Sequence, residues 1–245
     1  MTDLWYDETG EGSPILLIHE GVVDSRLWDP VVPLLAPRHR VFRYDQRGFG
    51  RSPAQDGPYS LVEDLTSVLD ASGVEQAALV GASRGGGIAL GTALERPARV
   101  STLVLVASAL PGQPLNVEWT PEQIARWELA EESNDYAEMA QLDMEIWAPL
   151  GVDEALRTMF VENAKGSNSE HETTDGPVAD RLAEIAVPTL VVSGARDQDA
   201  INENCERIAR EIPGAQRAVV EEADHVLPWR APEELADLIL RFLKS

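Results

Sequence analysis

The chain has 245 residues, and its 44% hydrophobic and 25% charged content is ordinary for a globular protein and excludes a disordered or fibrous chain. Acidic residues outnumber basic residues 42 to 20, so the net charge is −22. Because that charge repels phosphate groups, we expect no nucleic-acid partner and no association with anionic membranes.

Short apolar runs recur along the chain and alternate with helical patterns. Continuous apolar runs are typical of strands buried on both faces, and therefore of a parallel sheet covered by helices. The candidate strands are residues 14–18, 40–44, 77–80, 101–106, 188–192 and 217–220. Apolar residues recur at helical spacing in residues 61–69, 83–95, 201–212 and 232–243. This alternation predicts an α/β fold with an open, doubly wound sheet.

One long stretch, residues 109–176, interrupts the alternation because it contains no candidate strand. Helical patterns instead cover residues 121–146, after a Thr-Pro cap signal, and residues 152–164. An insertion of this length between two strands is usually a lid or a separate helical layer. We therefore predict a core formed by residues 1–108 and 177–245, with residues 109–176 inserted as a helical cap.

A glycine-rich turn follows the third candidate strand and precedes a helical pattern. Its sequence, Gly81-Ala82-Ser83-Arg84-Gly85, has the G-x-S-x-G form of a nucleophile elbow. In such a turn the serine has strained backbone angles, and the glycines let strand and helix approach without a Cβ clash. The helix N terminus places N–H groups and a positive dipole beside a developing oxyanion. Ser83 is therefore the candidate nucleophile, and the alternative is a purely structural turn.

A serine nucleophile needs a base and an acid that orients the base, and in this architecture both follow the serine in the chain. His225 lies after the last candidate strand, where catalytic groups of open α/β sheets are found. Asp197 lies just past the end of an earlier strand and is the candidate acid, with Asp199 as the alternative. Asp224 is adjacent to His225 in sequence and is poorly placed to orient the imidazole.

Four motifs in the same order resemble the α/β-hydrolase fold family, and the resemblance covers nearly the whole chain. Besides the elbow, these are the H-G-x loop with its following tryptophan, the D-x-R-G-x-G-x-S loop and the G-x-x-D acid motif. They correspond to residues 17–21 with Trp28, residues 44–52 and residues 194–197. Before the strand at residue 14, only residues 4–7 are available to form a further strand. One strand of the family's usual eight is therefore missing, and the resemblance implies a mostly parallel sheet of about seven strands.

The same resemblance implies roles for the residues around the candidate nucleophile. The backbone N–H groups of Gly21 and Arg84 would form the oxyanion hole. His19, Asp45 and Arg47 would brace loops and take no part in the chemistry.

Two residues depart from the family pattern. Glu20 stands where the family usually has glycine, and Arg84 stands where an apolar or amide side chain is usual. One hypothesis is that the two side chains form an ion pair that joins the two oxyanion loops. The alternative is that Glu20 faces bulk solvent while Arg84 points toward an acidic cap residue such as Glu128 or Asp143.

The resemblance implies a serine hydrolase that cleaves a small-molecule carboxylic ester or lactone through an acyl-enzyme. Carboxylesterases and enol-lactonases are the related enzymes, and a C–C bond hydrolase of vinylogous diketones with the same triad is an alternative. A ligand receptor that keeps the fold without catalysis is a third hypothesis. The candidate substrate-binding residues are Glu20, Trp127, Met139, Met144 and Trp147.

The remaining sequence features predict what the protein lacks. The first five residues contain no apolar signal core, and no apolar run approaches the roughly 20 residues that span a bilayer, so we expect a cytoplasmic protein without a membrane partner. The single cysteine excludes an internal disulfide and a multi-cysteine metal site. We expect no metal or other cofactor, no effect of EDTA on activity, and a monomer or homodimer.

Overall fold

Seven strands form one sheet in the computed structural model, which describes residues 2–167 and 175–244. The spatial order is β1-β3-β2-β4-β5-β6-β7. The strands are β1 Tyr6–Thr9, β2 Ser13–Ile18, β3 His39–Tyr44, β4 Ala77–Ala82, β5 Val100–Val106, β6 Thr189–Gly194 and β7 Gln216–Val220. β1 is antiparallel to β3, and every other pair is parallel. The predicted mostly parallel sheet of about seven strands is thus confirmed.

The sheet is buried on both faces, as its apolar strands require. Along β5, Leu103 and Leu105 belong to one hydrophobic cluster, while Val104 and Val106 belong to the cluster on the opposite face. Successive side chains of a strand point to opposite faces, so a strand with a core on each side must be apolar at every position. This requirement explains why the strands appear in the sequence as continuous apolar runs.

Helices cover both faces of the sheet. Their bounds are α1 Val32–Leu35, α2 Leu61–Ala71, α3 Arg84–Glu95, α4 Pro121–Ser133, α5 Tyr136–Trp147, α6 Glu154–Ser167, α7 Asp199–Glu211, α8 Leu227–Arg230 and α9 Pro232–Phe242. The apolar residues of α2, α3 and α7 join the cluster on one face. Those of α1 and α9 join the cluster on the other, which also receives apolar residues of α5 and α6. The arrangement is doubly wound, as the alternation predicts.

Among the described residues between β5 and β6 lie the helices α4 to α6, which are called the cap helices below. The prediction of one continuous helix over residues 121–146 was wrong. Asn134 adopts a left-handed conformation with φ 54° and ends α4, and the Asp135 side chain accepts a hydrogen bond from Glu138 N to begin α5. Asparagine tolerates this conformation better than most residues, and aspartate is a favoured N-cap. The apolar residues keep their helical spacing across the break, so the sequence pattern does not indicate that one helix ends and another begins.

One buried amide side chain of the cap helix α6 hydrogen-bonds to the core. Asn163 Nδ2 donates to Asp24 Oδ2 at 2.9 Å, and Asn163 Oδ1 accepts from Gly50 N at 2.8 Å. An outer ion pair joins Arg26 to Glu162 at 2.6 Å. The amide therefore bridges two core loops that flank the candidate site.

Asn163→Ala is expected to destabilise the protein by about 1–3 kcal/mol, because the Gly50 N–H loses its partner in a partly buried place. Urea unfolding monitored by tryptophan fluorescence measures this loss. Glu162→Gln is the matched control on the same helix, and its exposed ion pair is expected to contribute less than about 1 kcal/mol. Equal losses in the two variants would contradict the role assigned to Asn163.

Candidate active site

Ser83 lies at the abrupt turn from β4 into α3. Its backbone angles are φ 49° and ψ −114°, a region that a residue with a side chain rarely adopts. A Cβ on Gly81 would clash with the carbonyl oxygen of Gly85, and a Cβ on Gly85 would clash with the carbonyl oxygen of Ile18. Glycine is therefore required on both sides of the serine. Strain of this kind costs on the order of 1–3 kcal/mol and is concentrated at functional sites.

Two loops meet beside Ser83. Arg84 is the first residue of α3, so its N–H has no acceptor within the helix. A Cβ on Gly21 would lie 3.4 Å from Arg84 Cδ, which places the loop after β2 directly against this helix N terminus. The backbone groups that the resemblance assigns to an oxyanion hole thus belong to adjoining segments.

His225 and Asp197 are joined by a buried hydrogen bond. His225 Nδ1 donates to Asp197 Oδ2 at 2.9 Å, and the two side chains are 3% and 1% exposed. The other carboxylate oxygen, Asp197 Oδ1, accepts from Gln198 N at 2.7 Å. A proton held on Nδ1 leaves Nε2 as the basic nitrogen of the neutral ring. The structure therefore pairs the histidine with Asp197 and not with the alternative acid, Asp199.

The loop that carries His225 is itself fixed by its neighbours. Asp224 forms an ion pair with Arg230 at 2.8 Å and accepts a hydrogen bond from Leu150 N at 3.1 Å. The ring of Trp147, from the cap helix α5, lies 4.6 Å from the His225 ring. Sequence reasoning missed the anchoring role of Asp224 and Arg230, because neither residue belongs to a motif.

Several carboxyl groups act on His225. Burial by itself lowers the pKa of the imidazole, but the Asp197 carboxylate acts against that effect, and Asp224 and, when it is ionised, Glu20 add to the opposition. The net result raises the pKa of His225 to about 9. The protonated ring is thus better stabilised here than in a solvated histidine.

Glu20 is fully buried, with 0% of its surface exposed. Neither carboxyl oxygen has a hydrogen-bond partner among residues 2–167 and 175–244. Burial raises the pKa of Glu20 to about 8, and the charges of Asp197, Asp224 and Asp143 act in the same direction against an opposing effect of His225.

The structure agrees with neither hypothesis for Glu20 and Arg84. Burial excludes a solvent-facing Glu20, and the unpartnered oxygens exclude an ion pair with Arg84. Arg84 Nη2 lies 3.4 Å from Tyr59 Oη, and its guanidinium lies 5.5 Å from the centre of the Phe49 ring. The Arg84 side chain thus packs against two aromatic residues of the loop between β3 and α2.

The structure separates the four candidate substrate-binding residues of the cap. Trp147 contacts His225, and Met144 is buried in the core cluster shared with the cap helices. Met139 is also buried. Trp127 packs edge-to-face on Trp119, with 5.1 Å between ring centroids. Of these four, Trp147 is therefore the residue with a direct contact to the candidate site.

His19 braces the loop around Glu20. Its Nε2 accepts from Gln46 N at 2.8 Å, and its Nδ1 lies 2.6 Å from the carbonyl oxygen of Glu20, to which it donates. Asp45, the residue before Gln46, accepts hydrogen bonds from Ser25 and Arg51. Both ring nitrogens of His19 are thus occupied by backbone groups, as a structural residue requires.

In the part of the chain that the structure describes, no three His, Cys, Asp or Glu side chains are grouped so as to hold a metal ion. Among the same residues, no helix has the length and apolar character needed to cross a membrane.

Comparison with known proteins gives matches over nearly the full chain. Residues 14–232 match the family model for the alpha/beta hydrolase fold. A 2-hydroxymuconate semialdehyde hydrolase from Pseudomonas sp. strain CF600 is 33% identical, covering 96% of this chain and 88% of that protein. A thermophilic esterase from Thermogutta terrifontis has a TM-score of 0.84 at 25% identity, covering 98% and 93% of the two chains. The enol-lactonase from Burkholderia xenovorans LB400 has a TM-score of 0.83 at 25% identity, covering 99% and 96%.

Proposed function

Because the chain belongs to the alpha/beta hydrolase fold family, we propose that it is a cofactor-free serine hydrolase of small-molecule carboxylic esters or lactones. The observation that carries the proposal is the strained turn at Ser83, where a side chain occupies a backbone conformation that glycine would adopt more easily. The buried hydrogen bond from His225 to Asp197 supports it, because that bond leaves Nε2 free to act as a base.

In the proposed reaction, Ser83 Oγ attacks the carbonyl carbon of the substrate while His225 Nε2 takes the hydroxyl proton. The negative charge that forms on the carbonyl oxygen is stabilised by the backbone N–H groups of Gly21 and Arg84. His225 then gives its proton to the leaving alkoxide, and the acyl group remains on Ser83. Water adds to this acyl-enzyme while His225 takes the water proton, and His225 returns that proton to Ser83 Oγ as the acid leaves. Asp197 stabilises the imidazolium at each step.

A cavity of about 270 Å³ beside Arg84 supports a small substrate. Most of its lining is apolar and comes from α2, α3 and the segment after β5, including Val62, Ile88 and Leu110. Ile88 and Arg84 are one helical turn apart on α3, the helix that begins directly after Ser83. Ser83 and His225 are not among its lining residues, so the cavity is an apolar side pocket next to the reacting groups.

A C–C bond hydrolase is the second candidate function. The observation in its favour is the 33% identity to a 2-hydroxymuconate semialdehyde hydrolase over almost the whole chain. Both functions use the same serine, histidine and aspartate, so the triad does not distinguish them.

Two measurements test the proposed function. A fluorophosphonate probe is expected to label the wild-type protein at Ser83, as mapped by peptide mass spectrometry, and absence of labelling would favour a non-catalytic receptor. A panel of p-nitrophenyl esters and lactones of graded chain length is expected to include substrates. If only a vinylogous diketone is cleaved, the C–C bond hydrolase is the correct function.

The pH dependence of kcat/KM follows from the state of His225. Only the neutral ring can accept a proton, so activity is expected to fall as pH decreases through the pKa of His225. Because neighbouring carboxyl groups raise that pKa to about 9, the fall should begin above the pH 6–7 range of an ordinary histidine. Initial rates between pH 5 and pH 10 measure this limb, and a constant rate down to pH 5 would exclude His225 as the base.

A further inference from the structure

Glu20 is the one buried carboxyl of the candidate site whose oxygens both lack a partner among the described residues. The buried carboxylates of Asp24, Asp45, Asp197 and Asp224 all accept hydrogen bonds. A buried polar group without a partner costs about 1–3 kcal/mol, and natural proteins retain few of them. A neutral hydrocarbon side chain at this position would avoid that cost.

The electrostatic surroundings of Glu20 favour its protonated form. Carboxyl groups of Asp197 and Asp224 act on it from the loops after β6 and β7, and Asp143 acts on it from the cap helix α5. His225 is the group that opposes them, and the base must be neutral before it takes a proton. A protonated carboxyl has one O–H donor and a carbonyl acceptor, and at Glu20 neither is used by the described residues.

We propose that Glu20 is a specificity-determining residue that donates a hydrogen bond to a second oxygen on the acyl part of the substrate. The inference rests on the proposed function. It assigns the substrate class as esters or lactones whose acyl chain has an oxo, alkoxy or carboxamide oxygen near the scissile carbonyl.

The position of Glu20 in the chain sets where that second oxygen lies. Glu20 immediately precedes Gly21, and adjacent Cα atoms are separated by about 3.8 Å. In the proposed reaction Gly21 N binds the oxygen of the scissile carbonyl, so Glu20 can reach atoms only a few bonds away from that carbonyl. Asp143 of the cap helix α5 is one of the carboxyl groups whose charge acts on Glu20.

A pair of substrates with matched shapes isolates the second oxygen. p-Nitrophenyl 4-oxopentanoate and p-nitrophenyl 4-methylpentanoate differ by a carbonyl oxygen in place of a methyl group. The methoxyacetate and butanoate esters form a second pair, with the oxygen two bonds closer to the scissile carbonyl carbon. Each rate is divided by the rate of hydroxide-catalysed hydrolysis of the same ester. The quantity measured is the ratio of kcat/KM for the oxygen-bearing ester to kcat/KM for its hydrocarbon analogue.

Two substitutions distinguish the protonated acid from a carboxylate. Glutamine keeps one donor and one acceptor in nearly the same shape, whereas leucine keeps only the volume. We expect the larger of the two ratios to fall about five- to tenfold in Glu20→Leu, which is the usual worth of one hydrogen bond, and to stay within about threefold of wild type in Glu20→Gln. Glu162→Leu and Glu162→Gln, on the outer surface of α6, are the matched controls and should leave both ratios unchanged.

Other outcomes overturn the inference. Unchanged ratios in Glu20→Leu exclude a contact with the substrate, and equal losses in the leucine and glutamine variants show that the ionised form is the one that acts. The melting temperature is a second measure, because loss of an unpartnered buried carboxyl should leave it unchanged or raise it. A clear decrease in the leucine variant would assign Glu20 a structural role instead.

A binding measurement tests the same inference without requiring turnover. The affinities of 4-oxopentanoic and 4-methylpentanoic acids, the products of the first pair, are measured by titration calorimetry on the wild-type protein and on both Glu20 variants. A preference for the oxo acid that disappears in Glu20→Leu supports the inference even if no ester is cleaved. Absence of ester cleavage overturns only the proposed function, and equal affinities for the two acids overturn only the role of Glu20.

Discussion

Replacing Ser83 with alanine is expected to lower kcat by more than about 10⁴-fold and to leave the melting temperature almost unchanged. The hydroxyl is the attacking group in the proposed reaction, and removal of a triad serine costs far more than loss of a positioning contact. Alanine keeps the side-chain Cβ in the strained turn, where φ is 49°. The folded state therefore retains both its strain and its packing.

Ser193→Ala is the matched control for this prediction. Ser193 is a buried serine in β6 whose hydroxyl has no hydrogen-bond partner among the described residues. Its loss is expected to leave kcat/KM within about twofold of wild type, since its hydroxyl makes no hydrogen bond that the change would break. Steady-state kinetics on the best ester of the panel measures both variants. More than one tenth of wild-type turnover in Ser83→Ala would rule out Ser83 as the nucleophile.

Replacing Ser83 with glycine measures the backbone strain of the turn. Ser83→Gly is expected to be as inactive as the alanine variant but more stable, by about 1 kcal/mol, because glycine adopts positive φ without steric cost. A higher melting temperature for the glycine variant than for the alanine variant would show that the strain is real. Equal melting temperatures would contradict it.

Replacing Asp197 with asparagine is expected to lower kcat by about 10⁴-fold, the loss known for the equivalent change in a serine-protease triad. Asp197 Oδ2 accepts the Nδ1 proton of His225 at 2.9 Å. The asparagine NH₂ can donate to Nδ1 in its place, and this favours the tautomer whose proton is on Nε2. A ring with its proton on Nε2 cannot take the proton of the serine hydroxyl.

The pH profile of the same variant provides an independent test. The Asp197 carboxylate is the main group that raises the pKa of His225. Its loss should therefore move the acid limb of kcat/KM to lower pH, although the maximum rate is smaller. Asp199→Asn, two residues away at the start of α7, is the matched control and should behave as wild type. A larger loss in Asp199→Asn than in Asp197→Asn would reverse the assignment of the acid.

Much of the fold and of the candidate triad could be predicted from local sequence alone. Strands buried on both faces must be apolar at each position, so β2, β4, β5 and β6 are visible as continuous runs. The turn at Ser83 needs glycine on both sides for steric reasons, and this need is visible as a five-residue motif. The carboxyl ends of parallel strands meet at one edge of the sheet, which is why the positions of Asp197 and His225 after β6 and β7 predicted their contact.

Other features depended on contacts between residues far apart in sequence. Glu20 and Arg84 have opposite charges and each stands beside an expected oxyanion donor, so sequence alone left open both an ion pair and two separate side chains. The structure instead places Arg84 against Tyr59 and Phe49 and leaves Glu20 buried among other carboxyl groups.

There is a physical reason why some features could be predicted from the sequence and others could not. The residue types and spacings determined which segments become strands, which turn is strained and which side chains stand at the strand ends, because each of these is decided by neighbours within a few positions. The direction of a long side chain, and whether its charge meets a partner, is decided by whatever distant segment packs over it. Only the tertiary structure therefore decided that Trp147 covers His225 and that the oxygens of Glu20 have no partner among the described residues.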